Sequence, residues 1–214
     1  MSFNAVAANY AAVAEASYAD TLAAAKTMRQ AVDALTSSPS ADKLQAARKA
    51  WLAARELYGQ TKAFRFYGGP IDDANGPEGR INAWPMDESF LKQSCFSDNT
   101  HRAVVNNAPG IRNVWLGEYK RADGSVVKGA SLRELVAAKD APLAAQATNQ
   151  IGSSVTAAEA IQAPLDREIV GAKDAAGRLR IQATIDSLTQ QSKDLAGATK
   201  AAGIIRLAFD APKK

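Results

Sequence analysis

YADTLAAAKTMRQAVDALTSSPSADKLQAARKAWLAARELYGQTKAF, residues 18–64, decides the fold class. Tyr18, Leu22, Ala25, Met28, Val32 and Leu35 recur at steps of three and four, the spacing of one face of an α-helix. Ser37, Ser38, Pro39 and Ser40 break that pattern. Ser40 then reads as a helix cap, and Asp42 in the following turn suits the positive end of the helix dipole. Leu44, Ala47, Trp51, Ala54 and Tyr58 form the stripe of a second helix, which runs to about Phe64. The first helix starts near Asn4. Two long helices across so short a break pack as an antiparallel pair.

The C-terminal half carries the same signals. Ser97 reads as the cap of a helix through Val104 and Val105, which Pro109-Gly110 interrupts; Ile111, Val114, Trp115 and Leu116 suggest a further helical stretch to about Tyr119. Asp123-Gly124, between Tyr119 and Val126-Val127, reads as a small hairpin. Ser131 and Glu134 have capping-box spacing for a short helix. A long helix follows over about Pro142–Gln162, with Leu143, Ala147, Ile151, Val155, Ala158 and Ile161 on one side, and Pro164 ends it. After a brief turn over Leu165–Val170, the last helix covers about Asp174–Ala202, with Ile181, Ile185, Leu188, Ser192, Leu195 and Ala202 as its stripe. The expectation is an all-α fold: a four-helix up-down bundle with a long irregular crossover segment and short extra helices, formed as a single domain over residues 1–214.

Composition narrows the partners. Hydrophobic residues make up 47% and charged residues 22%, as in ordinary globular proteins, and the net charge is +4 without any basic run, which speaks against nucleic acid. One Cys excludes an internal disulfide and any Cys-rich zinc pattern. No apolar run reaches the roughly 18 residues of a membrane span. The start, MSFNAVAANYAAVAEASYAD, has neither the basic end nor the apolar stretch of a signal peptide.

The crossover is RFYGGPIDDANGPEGRINAWPMDESFLKQSCFSDNTH, Arg65 to His101. Its Gly and Pro residues stop helices, and its aromatic and aliphatic residues argue for order, so it reads as the functional segment. Asp72, Asp73, Glu78, Asp87, Glu88 and Asp98 lie among Arg65, Arg80, His101 and Arg102. Two readings stand. Gathered by the fold, carboxylates and one imidazole hold iron or another divalent metal; alternatively, Arg–carboxylate pairs pin the segment to the bundle. Asp98 and His101 are the candidate metal ligands. Arg65, Tyr67, Asp72, Arg80, Trp84, Asp87, Glu88, Ser97 and Asn99 are the candidate ligand-binding residues. Cys95 with His101 is the one nucleophile–base pairing, set against an inert packed thiol. A groove bearing Trp84, Trp115 and Tyr67 would also suit a polysaccharide.

FRFYGGPID, GPEGRINAWPMDE, SCFSDNTH, GIRNVWLGEY and the Leu132–Asp140 stretch resemble, in order, the blocks of imelysin-like proteins. That resemblance implies an exported, all-helical bacterial protein of the periplasm or cell envelope, associated with iron uptake and nominally assigned to metallopeptidases. The family carries a GxHxxE motif between the blocks that end here at Glu88 and begin at Ser94; in this chain only Ser89–Gln93 separates them. The sole His is His101, and Val104 stands where a Glu three residues on would be needed. The expectation is therefore no catalytic residue: an envelope protein binding a small ligand or a metal ion, with oligomeric state open. The alternatives are a reduced or engineered bundle that has lost the site, and a metallopeptidase-like or Cys/His hydrolase.

Overall fold

The computed structural model describes residues 2–65, 69–71, 73, 75–77 and 100–203. The chain is all-α, with seven α-helices and one two-stranded hairpin among the described residues. Helix α1 covers Phe3–Ser37 and is about 52 Å long. Ser2 caps it by accepting from the Ala5 amide at 3.2 Å. Helix α2, Ala41–Gln60, folds back on α1, and Ser40 caps it as expected, accepting from the Lys43 amide at 3.2 Å, with Asp42 in the first turn. Its last turn tightens into a 3-10 helix at Thr61–Phe64.

Helix α3, Thr100–Leu116, corrects one expectation, since it runs unbroken through Pro109. A mid-helix proline costs about 3 kcal/mol, so packing must hold the helix together. The packing is close. A Cβ on Gly110 would lie 2.4 Å from the Gln60 carbonyl oxygen, and one on Gly59 would lie 2.6 Å from Asn106 Cβ. Only glycine lets α2 and α3 approach this far.

Strands β1 (Glu118–Lys120) and β2 (Val126–Lys128) form the expected antiparallel hairpin, with Tyr119 opposite Val127. Helix α4, Leu132–Ala137, has the expected Ser131–Glu134 capping box. Helix α5, Ala141–Glu159, starts at the Asp140 cap. After the four-residue α6, Leu165–Glu168, helix α7 (Ala176–Ala201) returns along α5. The pairs α1–α2 and α5–α7 each form a helical hairpin, and α3 packs against both α2 and α5. Among the described residues no helix is long and apolar enough to cross a membrane.

Among the described residues the core lies in three patches. Trp115, Val136, Ala144, Ala147, Ile151 and Ala198 fill the first, Val105, Ala108, Val155 and Ala158 the second, and Val13, Ala16 and Tyr119 the third. Trp115 is 3% exposed and its indole N–H donates to Thr148 Oγ1 at 2.9 Å, so it is a core residue and not part of a polysaccharide groove. Two expected stripes are also corrected. Ile185 is exposed, because α7 turns Thr184, Ser187 and Asp194 toward α5. There Thr184 Oγ1 donates to the Ala157 carbonyl, Ser187 accepts from Gln150, and Asp194 accepts from Gln146. On α1 the deepest residues are Val6, Val13, Ser17 and Asp20, whereas Leu22 and Val32 are exposed.

Candidate functional site

Each end of the crossover has a side chain that reaches α2. Arg65 leaves the 3-10 turn and stays beside α2: its Nη1 donates to Tyr58 Oη at 3.2 Å, and its guanidinium lies 5.3 Å from the Tyr58 ring centre. On α3, Arg102 makes a two-pronged pair with Glu56, Nε donating to Oε1 at 2.9 Å and Nη2 to Oε2. These hydrogen bonds hold the Glu56 carboxyl below its ordinary range despite the opposing effect of burial; the Arg102 charge, the Asn106 side chain and the His101 ring add to the lowering. Hydrogen bonding to Glu56 likewise raises the Arg102 guanidinium.

His101 sits one residue before Arg102, on the same side of the molecule as Glu56. Its Nδ1 is buried without a hydrogen-bond partner among the described residues, and so is Asn107 Oδ1. Buried polar atoms are rarely left this way, so each calls for a partner. Below them Asn113 Nδ2 donates to Gln60 Oε1 at 3.2 Å, fixing α3 to the end of α2. Glu56 and Arg102, with the His101 ring near enough to act on the Glu56 carboxyl, make a polar patch at the start of α3.

Of the residues singled out from sequence, Arg65 lies against Tyr58 and His101 beside the Glu56–Arg102 pair. Tyr67, Asp72, Arg80, Trp84, Asp87, Glu88, Ser97, Asp98 and Asn99 lie outside the described residues, as does Cys95. Asp73 is described and serves its own turn: its Oδ1 accepts from the Asn75 amide at 2.6 Å, and its carbonyl from the Gly76 amide. Sequence reasoning missed Glu56. Glu56 borders the Ala54–Tyr58 stripe as an ordinary surface glutamate would, and only the distant Arg102, 46 residues on, gives it a role.

The described residues by themselves do not fit a metal ion. They hold no group of three or more His, Cys, Asp or Glu side chains placed to share one. His101 offers one nitrogen, and the neighbouring Glu56 carboxylate is already taken by Arg102.

A second polar centre lies at the hairpin. The Asp20 carboxylate, 6% exposed, accepts from Tyr119 Oη at 3.1 Å, from the Ala122 amide at 2.9 Å, and from Arg121 Nε and Nη2 at 3.1 and 2.6 Å. Burial raises its pKa, but these donors outweigh burial and leave it lowered. Burial and the Asp20 charge push the Tyr119 phenol well up. Every oxygen has a protein donor, so the centre is a pin for the hairpin.

Comparison with known proteins places this geometry in a lineage. A 76-residue segment is 40% identical to iron-regulated protein A of Synechococcus elongatus. That segment is 36% of this chain, and the chain spans only about a fifth of that relative's length. The family model for imelysin (peptidase M75) matches in two segments, residues 14–94 and 91–195, which abut inside the crossover. With most of its length matched in this way, the chain belongs to the imelysin family.

Proposed function

We propose that residues 1–214 act as one imelysin-like unit of the bacterial cell envelope, linked to iron uptake, which binds a ligand and does not catalyse a reaction. The observation that carries this reading is the family match in two pieces meeting at residues 91–94. That is where Ser89–Gln93 stands in place of the stretch that bears the family's GxHxxE motif. A zinc peptidase needs histidine ligands and a general base around an open metal position. One histidine, with its nearest described carboxylate paired to arginine, supplies neither.

In this reading Arg65, with Tyr67, Asp72, Arg80, Trp84, Asp87, Glu88, Ser97 and Asn99 of the crossover, binds the ligand. Asp98 and His101 are the proposed metal pair, iron or another divalent cation. The unpartnered His101 Nδ1 supports placing the ligand there. Calorimetry with ferrous, ferric and zinc salts tests it. Binding tighter than about 1 mM, weakened about tenfold or more in His101→Ala, is expected. No heat with any of the three, or heat unchanged by the substitution, removes the metal from the reading. The competing reading, a bundle that keeps the fold without the site, is favoured by the Glu56–Arg102 pairing, and it predicts no rise in melting temperature on adding metal.

A further inference from the structure

We propose that the corner where α6 meets α7 binds a single-chain amphiphilic anion, of the kind a medium-chain carboxylate represents. Ile169 and Lys173 from the corner meet Arg178, Leu179, Ile181 and Ile185 from the start of α7 around a groove of about 570 Å³. That volume lies within the range of small-molecule sites. Ile169 is 54%, Leu179 53% and Ile185 50% exposed, so the aliphatic wall stands open to water. Arg178, Ile181 and Ile185 follow one another at steps of three and four on one face of α7. The guanidinium is therefore at one end of a wall that runs about 10 Å along the helix.

Charge selects the occupant. Two cations and no carboxylate line the groove. Among the described residues neither Lys173 nor Arg178 pairs with an acid. Arg178 Nη1 donates to the Ile169 carbonyl at 3.2 Å, which ties the corner to α7 and leaves the other guanidinium donors open. The nearby carboxylates are engaged with other groups: Glu168 pairs with Arg180, Asp186 accepts from Gln182 Nε2 at 2.8 Å, and Asp166 accepts from the Arg167 amide at 2.9 Å. A negative head at the Lys173–Arg178 end with an alkyl chain along Leu179, Ile181 and Ile185 satisfies both features together. Other occupants satisfy one at most. A bilayer would meet the whole corner, where Asp166, Asp174 and Asp186 offset Arg167, Lys173 and Arg178, and its flat surface does not fill a groove. A second copy seated about a twofold axis would set like cations against each other. An uncharged apolar molecule leaves both cations unused.

Calorimetric titration with decanoate, whose extended chain is about as long as the ~10 Å wall, tests this. The expected Kd is about 10–100 µM, with acetate silent and decyltrimethylammonium at least about tenfold weaker. Lys173→Glu and Ile185→Glu, both at exposed positions, should each weaken decanoate at least about fivefold while urea unfolding stays as in the parent. The parent alone supplies a second readout: decanoate should shift the methyl resonances of Ile169, Leu179, Ile181 and Ile185. Binding weaker than about 1 mM, equal binding of the two head groups, or binding undiminished in either variant overturns the proposal. So do methyl shifts confined to other residues. A protein that ignores decanoate and pellets with phosphatidylglycerol vesicles assigns the corner to a bilayer and overturns it too.

Discussion

Asp20→Ala should cost about 2–4 kcal/mol of stability and release the β1–β2 hairpin. The estimate follows from what is left behind. The Tyr119 hydroxyl, on a residue 2% exposed, would lose its acceptor, and a buried unsatisfied donor costs about 1–3 kcal/mol. The Ala122 amide loses a bond to a charged acceptor, on the order of a further 1 kcal/mol. Nothing is added for Arg121, whose side chain reaches water and rehydrates. Asp20→Asn keeps the shape and one acceptor oxygen, so it should lose about half as much. The same centre has a pH signature. The Asp20 pKa is lowered on folding, so the unfolded chain, with an ordinary value of about 3.9, takes up the proton first. Its contribution is therefore complete above about pH 5 and disappears as pH falls through the lower folded-state pKa. Urea unfolding measures the loss, and hydrogen exchange at Tyr119 and Val127 locates it. A loss under about 1 kcal/mol, or hairpin amides as protected as before, would refute the pin.

Other outcomes follow from single contacts. Gly110→Ala should destabilise by about 1–3 kcal/mol, although Ala favours an isolated helix by about 1 kcal/mol, because the new Cβ meets the Gln60 carbonyl oxygen at 2.4 Å; a stabilised variant in urea unfolding would show that α2 and α3 are farther apart. Thr148→Val should cost about 1–3 kcal/mol by stranding the Trp115 indole N–H, and Trp115→Phe with Thr148→Val should cost less than the two single losses added together; a double-mutant cycle with no coupling counts against the bond. Ser131→Ala should lower stability by about 1 kcal/mol through loss of the α4 cap, seen as a shift in urea midpoint without change of slope.

How much of this was legible in the sequence depended on whether the signal was local. Ser40, Ser131 with Glu134, and Asp123-Gly124 act within a few residues of themselves, and each cap or turn is where the spacing predicts. The helix over Thr100–Leu116 was read as two pieces because Pro109 breaks helices in isolation; the compensation comes from Gln60 and Gly59, about fifty residues away. Apolar period assigned Leu22, Val32 and Ile185 to the core and left Asp20, Thr184 and Asp194 outside it. The structure reverses these because hydrogen bonds, not apolar area, decide which face of α1 and α7 turns inward. In the candidate site, Arg65 and His101 stand out by rarity and by bounding an odd segment. Glu56 does not, since its role exists only once α2 and α3 are side by side.

The same geometry explains why fold and site can part company in this family member. The α1–α2 hairpin closes through residues 38–40, and α5 and α7 pair across the short connection that holds α6, so neither pairing depends on the crossover. The bond network from Glu56 and Gln60 to Arg102 and Asn113 joins α2 directly to α3. The family match breaks within that crossover, at residues 91–94, and not inside either hairpin. On the reading proposed above, a chain interrupted there keeps each long described helix with its partner. It should unfold in urea as one transition and show no peptidase turnover; several transitions, or turnover, would count against that reading.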